Sequence, residues 1–369
     1  MNKRFLRNAE WGILICSLVL LVIGLVALVS ATAGSDYSEF KKQILWFLIS
    51  IPIIIIVMLI DYNTIAKFAG VFYGIFIVLL IGVLFTEPVN GARSWYEITE
   101  TLKFQPSELA KIFVIIFIAT ILVRLQKDNK NEINKIHKLI FLLILIGVPL
   151  LLIIMQPDYG TAMAFIISIC FMLFVAGIDK KYIFIALLLI GITLPLAYAF
   201  ILPEHAKTRI EVFLNPEMDP RGAGYNIIQS KLAIGAGRLF GMGILKGNQT
   251  QLGYLYPKTT DFIFSVIGEE LGFICAGAVI IVYVVMITKA IYVAKTAKND
   301  LGSYIAIGIA GIFFFHMLEN IGMTMGLLPI TGVPLPFVSY GGSSMLTNFM
   351  CIAMLLNISG RRQKTIFMN

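Results

Sequence analysis

Charged side chains inside apolar segments are the residues of this chain best suited to chemistry. Asp261 follows Thr260 at the start of an apolar run, and Glu108 lies three residues before Lys111 in another run. Partial burial at such a boundary could raise the pKa of the Asp261 carboxyl toward the range of a general base. The alternatives are a helix N-cap for Asp261 and a purely structural ion pair for Glu108 and Lys111.

Other polar residues in apolar runs have structural interpretations. Glu269 and Glu270 point about 100° apart on a helix, so we expect at least one of them to bond to the protein rather than to a shared partner. Glu319 is a further functional candidate because charges in membrane helices are costly. His316 is expected to be a satisfied intramembrane residue. The three histidines and four cysteines lack metal-ligand spacing, which argues against a metal site built from them.

Residues 202–260 form a long segment whose basic side chains suggest an anionic ligand. Arginine suits bidentate phosphate contacts, so a lipid-linked phosphate or an anionic headgroup is the predicted target, with a solvated surface as the alternative. The basic residues are Arg209, Arg221, Lys231, Arg238, Lys246 and Lys258. A series of glycines in the same segment predicts close backbone packing or a tight loop rather than a dinucleotide-binding loop, because no strand precedes it. The series is Gly235, Gly237, Gly241, Gly243 and Gly247.

The elements that must position these residues are membrane helices. Of 369 residues, 59% are hydrophobic and 14% are charged, whereas a typical soluble protein is about 25% charged. Apolar runs long enough to cross a bilayer exclude a soluble enzyme, a disordered chain and a secreted disulfide scaffold. The sequence predicts an all-α polytopic membrane protein, a single transmembrane domain over 1–369. Its ten predicted spans are 11–32, 43–61, 65–86, 107–125, 138–155, 160–178, 182–201, 261–289, 302–328 and 343–360.

The distribution of Lys and Arg predicts the orientation of these spans. Basic clusters flank alternate spans, which places both termini in the cytoplasm and residues 202–260 outside the cell, between the seventh and eighth spans. Within this loop, Gly224–Leu239 has partial amphipathic spacing and could lie along the membrane surface. The net charge of +8 is then a topogenic signal, and no nucleic acid partner is expected.

Six stretches in order resemble one known family. The stretches are NGARSWYEI (Asn90–Ile98), FQPSELAK (Phe104–Lys111), QPDYGTAM (Gln156–Met163), FLNPEMDPRGAGYNIIQSKLAIGAGRLFGMGILKGNQT (Phe213–Thr250), TDFIFSVIGEELGF (Thr260–Phe273) and ENIGMTMGLLPITGVPLPFVSYGGSS (Glu319–Ser344). Through them the sequence is similar to the SEDS family (shape, elongation, division and sporulation), and most closely to its RodA branch.

The resemblance implies a peptidoglycan glycosyltransferase of the bacterial plasma membrane, which polymerises lipid II with a class B penicillin-binding protein and other membrane proteins of the elongation complex. The family's catalytic Asp corresponds to Asp261. Its Glu/Lys pair corresponds to Glu108 and Lys111, near a cavity that faces the Asp, and the Trp of the preceding loop corresponds to Trp95. The chain departs from the family in having neither Glu nor His in Tyr254–Thr260, so no role is carried over to those neighbours.

The chemistry follows from the substrates that the resemblance implies. The donor is a growing glycan chain α-linked to undecaprenyl pyrophosphate, and the acceptor is the 4-hydroxyl of the GlcNAc on lipid II. A β-1,4 product requires inversion, so one displacement with one general base, Asp261, suffices. The pyrophosphate leaving group needs charge stabilisation from basic residues or from a divalent cation such as Mg²⁺ or Mn²⁺, and the metal requirement stays open. The basic candidates are Arg209, Arg221, Lys231, Arg238 and Lys246.

Other functions fit parts of the sequence. A division (FtsW-like) or sporulation polymerase is the alternative within the family. A lipid II flippase or other transporter would also use many helices, although it should need neither an outward-facing base nor a large structured outer loop. A non-catalytic activator of a penicillin-binding protein is a third alternative, which the intact TDFIF motif disfavours.

Overall fold

The chain folds into a bundle of long helices. The computed structural model describes residues 3–88, 92–97, 99, 103–127, 129–200, 207, 211–220, 222 and 224–362. The helices are α1 (Lys3–Asn8), α2 (Trp11–Ala31), α3 (Ser38–Leu59), α4 (Tyr62–Lys67), α5 (Ala69–Gly82), α6 (Pro106–Leu125), α7 (Ile136–Met155), α8 (Tyr159–Ala176), α9 (Lys180–Phe200), α10 (Tyr225–Ala236), α11 (Asn248–Gln251), α12 (Ile263–Lys295), α13 (Asp300–Thr324) and α14 (Gly342–Gly360). Short 3₁₀ turns cover Val83–Phe85, Lys130–Asn134 and Pro216–Met218.

The predicted membrane architecture is confirmed at the level of the helices. Nine of the ten predicted spans each overlap one helix, and 65–86 covers the end of α4, α5 and a 3₁₀ turn. Within the described residues, seven helices are long and apolar enough to cross a membrane, and Ala69–Phe85 is a shorter apolar helix. The seven are α2, α3, α7, α8, α12, α13 and α14. The number of crossings, their orientation and the outer position of residues 202–260 remain predictions.

Small residues bring the central helices together. A Cβ on Gly308 of α13 would lie 2.9 Å from the sulfur of Met172 on α8, and one on Gly311 would lie 2.8 Å from the Cα of Ser168. Ser168 Oγ also donates to the carbonyl of Gly308 at 2.7 Å. Such close backbone approach and interhelical hydrogen bonding are typical of helix packing in membranes. Consequently α13 is buried along most of its length and can hold polar side chains away from lipid.

Helix α12 is broken at Gly272. This glycine has φ 79° and ψ −179°, a backbone conformation that disfavours other residues and interrupts the helical hydrogen bonds. The backbone N–H of Phe273 donates to the carbonyl of Arg238 at 2.8 Å, and the N–H of Ile274 donates to that of Leu239 at 3.2 Å. The chain before α11 therefore satisfies backbone groups that the break exposes, as membrane proteins require.

The predicted close backbone packing is confirmed for Gly237 and Gly241 of the glycine series, whereas a Cβ on Gly235 would meet nothing within 4 Å. A Cβ on Gly237 would lie 1.8 Å from the carbonyl oxygen of Gly268, and a Cβ on Gly241 would lie 2.1 Å from that of Glu270. Gly241 also has φ +80°. These two glycines therefore allow close contact between two backbones.

Helix α10 occupies most of the stretch expected to be amphipathic. Its buried residues are Ile227, Ser230 and Ala233. Ser230 Oγ lies 2.6 Å from Ser265 Oγ on α12 and donates to the carbonyl of Thr324 on α13 at 2.6 Å. The structure thus packs one face of this helix against α12 and α13. Whether its other face meets the membrane surface remains a prediction.

Candidate active site

Asp261 lies directly before the broken helix. Helix α12 begins at Ile263 with Phe262 in the N-cap position and no side-chain cap hydrogen bond. Phe262, and not Asp261, therefore occupies the N-cap position. A Cβ added to Gly332 would lie 3.5 Å from Oδ2 of Asp261, so the carboxylate borders the backbone of the segment between α13 and α14. Gly332 has φ +74°, which favours glycine at this contact.

Three successive backbone carbonyls fix the placement of Asp261. The carbonyl of Thr259 accepts from the N–H of Tyr340 at 2.9 Å. The carbonyl of Thr260 accepts from Ser339 Oγ at 2.6 Å, and that of Asp261 accepts from Asn320 Nδ2 at 3.0 Å. All three donors belong to α13 or to the segment that follows it. The base candidate is therefore preorganised by backbone contacts.

Glu108 and Lys111 form a buried ion pair in the first turns of α6. Lys111 Nζ lies 2.8 Å from Glu108 Oε1, and the side chains are 1% and 3% exposed. Lys111 Nζ also lies 2.9 Å from Nε2 of His316, whose Nδ1 lies 3.0 Å from the carbonyl of Pro334. Because a carbonyl only accepts, Nδ1 donates to Pro334 and Nε2 accepts from Lys111. His316 is thus satisfied inside the membrane, as the sequence predicted.

Asp158 anchors the beginning of α6, and sequence reasoning missed it. Its Oδ2 accepts from Gln105 Nε2 at 2.9 Å and from Ser107 Oγ at 3.4 Å, while its Oδ1 accepts from the N–H of Thr161 at 3.1 Å. Burial raises the pKa of Asp158, the nearby Glu108 acts in the same direction, and the hydrogen bonds from Thr161 oppose both. The available signal was its place in the QPDYGTAM stretch, at the end of an apolar run.

Trp95 precedes a small hairpin that leads into α6. Strands β1 (Tyr96–Glu97) and β2 (Lys103–Phe104) are antiparallel, with Tyr96 opposite Phe104. The carbonyl of the half-buried Trp95 accepts from Thr86 Oγ1 at 3.2 Å, and Tyr96 Oη donates to the carbonyl of Leu79 at 2.9 Å. The strand pairing therefore links Trp95 to the segment that leads into α6, and the first turn of α6 contains Glu108.

The basic candidates for binding pyrophosphate lie in different parts of the structure. A Cβ on Gly326 would lie 2.6 Å from Lys231 Nζ, so this ammonium lies over the segment that also borders Asp261. Arg238 and Lys246 are exposed and belong to the chain that packs on the break at Gly272. Arg209 and Arg221 lie outside the described residues.

The intramembrane glutamates bond to the protein, as expected for at least one of them. Glu269 accepts from the backbone N–H groups of Gln249 and Thr250, at 2.7 and 3.0 Å. Glu270 accepts from Ser30 Oγ at 2.7 Å, and Glu319 accepts from Thr331 Oγ1 at 2.7 Å. These carboxylates hold the chain around α11 and the segment after α13.

The described part of the chain includes no group of three or more His, Cys, Asp or Glu side chains that could hold a metal ion. Magnesium is commonly bound by one or two carboxylates together with substrate phosphates. A divalent cation that arrives with the substrate therefore remains a prediction, and no step below depends on it.

Comparisons with known proteins agree with the family resemblance. The sequence matches the FtsW/RodA/SpoVE family of cell cycle proteins over residues 10–364. It is 35% identical over 351 residues to the peptidoglycan glycosyltransferase MrdB of Escherichia coli, covering 95% of this chain and 93% of the relative. It is 37% identical over 359 residues to the stage V sporulation protein E of Bacillus subtilis, covering 94% and 96% of the two chains.

Two solved structures share the fold. One is a chain from a peptidoglycan synthase complex studied for the coordination of polymerization and crosslinking, with a TM-score of 0.82 and 24% identity, covering 95% of this chain and 97% of that chain. The other is the rod shape determining protein RodA of Thermus thermophilus, with a TM-score of 0.72 and 23% identity, covering 96% and 98%. The predicted all-α architecture is that of these proteins.

Proposed function

Because this chain belongs to the FtsW/RodA/SpoVE family, we propose that it is a peptidoglycan glycosyltransferase that polymerises lipid II into β-1,4 glycan strands. It is a multi-pass protein of the bacterial plasma membrane. We assign its active site to the outer face and its role to cell elongation. The similarity to MrdB supports this assignment, while the similarity to the sporulation protein keeps division and sporulation as alternatives.

The observation that carries the mechanism is the placement of Asp261. Its carboxylate borders Gly332, and its backbone is held through its own carbonyl and those of Thr259 and Thr260. In the proposed reaction this carboxylate accepts the proton of the acceptor 4-hydroxyl as that oxygen attacks the anomeric carbon of the donor. The bond from that carbon to the pyrophosphate breaks at the same time, with inversion. A fixed base in such a position typically contributes 10²–10⁴-fold to the rate.

We assign charge stabilisation of the leaving pyrophosphate first to Lys231. Its ammonium lies over Gly326, in the segment that continues to Gly332 beside Asp261. Lys111 donates to Glu108 and meets His316, so two of its three N–H groups are committed within the bundle. We therefore propose that Glu108 and Lys111 have a structural role and stabilise the wall of the site. Arg209 and Arg221 remain candidates on sequence alone.

We propose lipid II, the growing glycan chain and a class B penicillin-binding protein as the partners of this site, together with other membrane proteins of the elongation complex. The structural likeness to a chain from a complex that coordinates polymerization and crosslinking supports a partner that crosslinks the product. No nucleic acid is part of the proposal.

The test is glycan-strand synthesis from purified lipid II, with and without a cognate class B penicillin-binding protein. Wild type should produce strands, whereas Asp261→Ala and Asp261→Asn should lose at least about 10²-fold in rate and keep the wild-type melting temperature. Asp300→Asn is the control, because Asp300 is exposed and forms an ion pair with Lys130 at the surface. Full activity of Asp261→Ala would overturn the assignment. A liposome assay that detects lipid II translocation without polymerisation would favour the flippase.

A further inference from the structure

One face of α13 holds the segment that borders Asp261. His316, Glu319 and Asn320 lie at positions i, i+3 and i+4, so their side chains share that face. They bind residues 331–334 of the following segment one after another. Glu319 accepts from Thr331, Asn320 donates to the carbonyl of Val333, and His316 donates to that of Pro334.

Asn320 joins this segment to the base candidate. Its single amide nitrogen donates to the carbonyl of Val333 at 2.8 Å and to the carbonyl of Asp261 at 3.0 Å. The two N–H groups of one amide thus fix two backbones that are distant in sequence. Gly332, whose Cβ position would lie 3.5 Å from Oδ2 of Asp261, directly precedes Val333 in the chain.

His316 joins the same segment to the buried ion pair. Its ring accepts from Lys111 at 2.9 Å and donates to Pro334 at 3.0 Å. The contacts therefore form an unbroken path from Glu108 through Lys111, His316, the backbone of residues 333–334 and Asn320 to Asp261. Each link is a direct hydrogen bond or a peptide bond.

Burial of the Asn320 amide is unfavourable for stability, so packing alone does not explain this residue. It is fully buried, and its carbonyl oxygen has no hydrogen-bond partner in the described part of the chain. A buried acceptor without a partner lowers stability, which an apolar residue of similar shape would avoid. The residue is therefore better explained by its two N–H donors than by its contribution to stability.

We propose that His316 and Asn320 are positioning residues that set the placement of Asp261 and couple it to the Glu108–Lys111 pair. The polymerase role of Asp261 rests on the proposed function, whereas the mechanical coupling does not. Displacement of a catalytic group by about 1 Å can cost about 10²-fold in rate. A change at Lys111 should therefore reach Asp261 along this path.

Hydrogen–deuterium exchange of the purified protein in nanodiscs tests the coupling without any activity assay. Asn320→Asp replaces the two N–H donors by an acceptor oxygen at nearly constant shape. Lys111→Met removes the link between Glu108 and His316. Both variants should raise exchange in the peptide 257–264. Thr324→Val is the matched control, because Thr324 lies one turn further on α13 and its hydroxyl donates to the carbonyl of Ile321 on its own helix. Wild-type exchange of this peptide in Lys111→Met would overturn the coupling.

Steady-state kinetics with lipid II supply the second measurement. Asn320→Asp should lower kcat about 10²-fold with KM within about threefold, as expected when an interaction of the transition state alone is lost. Lys111→Met combined with Asn320→Asp should be scarcely slower than the worse single variant, since both interrupt one path. Multiplicative losses would contradict the coupling. An inactive wild type would count against the proposed function alone, because the exchange pattern still decides the coupling.

Discussion

Lys111 lies 2.8 Å from Glu108 at the beginning of α6, and neither side chain reaches the surface of the bundle. Charges buried in this way are costly to bring out of water, and their mutual attraction offsets that cost only while both are present. The second carboxylate oxygen of Glu108 is buried without a hydrogen-bond partner among the described residues, so Lys111 provides the main compensation.

Removing one member of this pair should destabilise the protein more than removing both. We expect Lys111→Met to lower the free energy of unfolding by about 3–5 kcal/mol, because it leaves an uncompensated carboxylate. Lys111→Met combined with Glu108→Gln should recover much of this loss. Thermal unfolding in nanodiscs measures both. The exposed pair Lys103–Glu97 is the control, and Lys103→Met should change stability by less than about 1 kcal/mol.

The contact between the outer segment and the broken helix should depend on Gly241. A Cβ at Gly241 would meet the carbonyl oxygen of Glu270 at 2.1 Å, in addition to the strain of φ +80°. Gly253 has a similar φ of +78° and nothing within 4 Å of its Cβ position. Gly253→Ala should therefore cost about 1–2 kcal/mol from backbone strain, and Gly241→Ala about 1–3 kcal/mol more from overpacking. Equal melting temperatures of the two variants would contradict the close approach.

The positions of the helices could be predicted because hydrophobic length alone determines them in a membrane. The break at Gly272 could not be predicted, because it lies inside the single predicted span 261–289. What makes the break tolerable is the set of backbone partners supplied by Arg238 and Leu239. Such pairing depends on tertiary structure and leaves no periodic signal in the sequence.

Site residues could be predicted from the sequence where their charge is unusual for the segment that contains them. Asp261, Glu108 and Lys111 stand out as charges in apolar runs. Asn320 does not stand out, because its role lies in two hydrogen bonds to backbone carbonyls, and any residue type has such carbonyls. Asp158 was missed because its role also lies in hydrogen bonds to common groups, which are an amide, a hydroxyl and a backbone N–H.

Glu269 should prove structural rather than catalytic. It accepts from the N–H groups of Gln249 and Thr250 and from the Thr250 hydroxyl, which lies 2.6 Å away. Glu269→Leu leaves the two buried donors of Thr250 and the partly buried N–H of Gln249 without this acceptor, so we expect a loss of about 2–6 kcal/mol at 1–3 kcal/mol for each buried donor. Thr250→Val removes one donor together with its bond and should cost about 1 kcal/mol. Limited proteolysis around α11 and thermal unfolding measure the effect, and polymerisation per folded molecule should persist in Thr250→Val.

The ion pairs of Glu132 should make stability depend on pH in the acid range. Hydrogen bonds from Lys135 and then Lys138, each 2.6 Å long, lower the pKa of Glu132 to about 2 from its ordinary value of 4.5. Because the folded protein favours the carboxylate, the stabilisation is complete above the pKa of the unfolded chain and is lost as the pH falls through the folded value.

The difference in melting temperature between wild type and Glu132→Gln should therefore be constant from pH 7 to pH 5 and shrink toward zero between about pH 4.5 and pH 2. Thermal unfolding across this range provides the measurement. Glu87→Gln, at an exposed glutamate, serves as the control for general acid effects. A difference that grows as the pH falls would reverse the sign of the linkage and contradict the lowered pKa of Glu132.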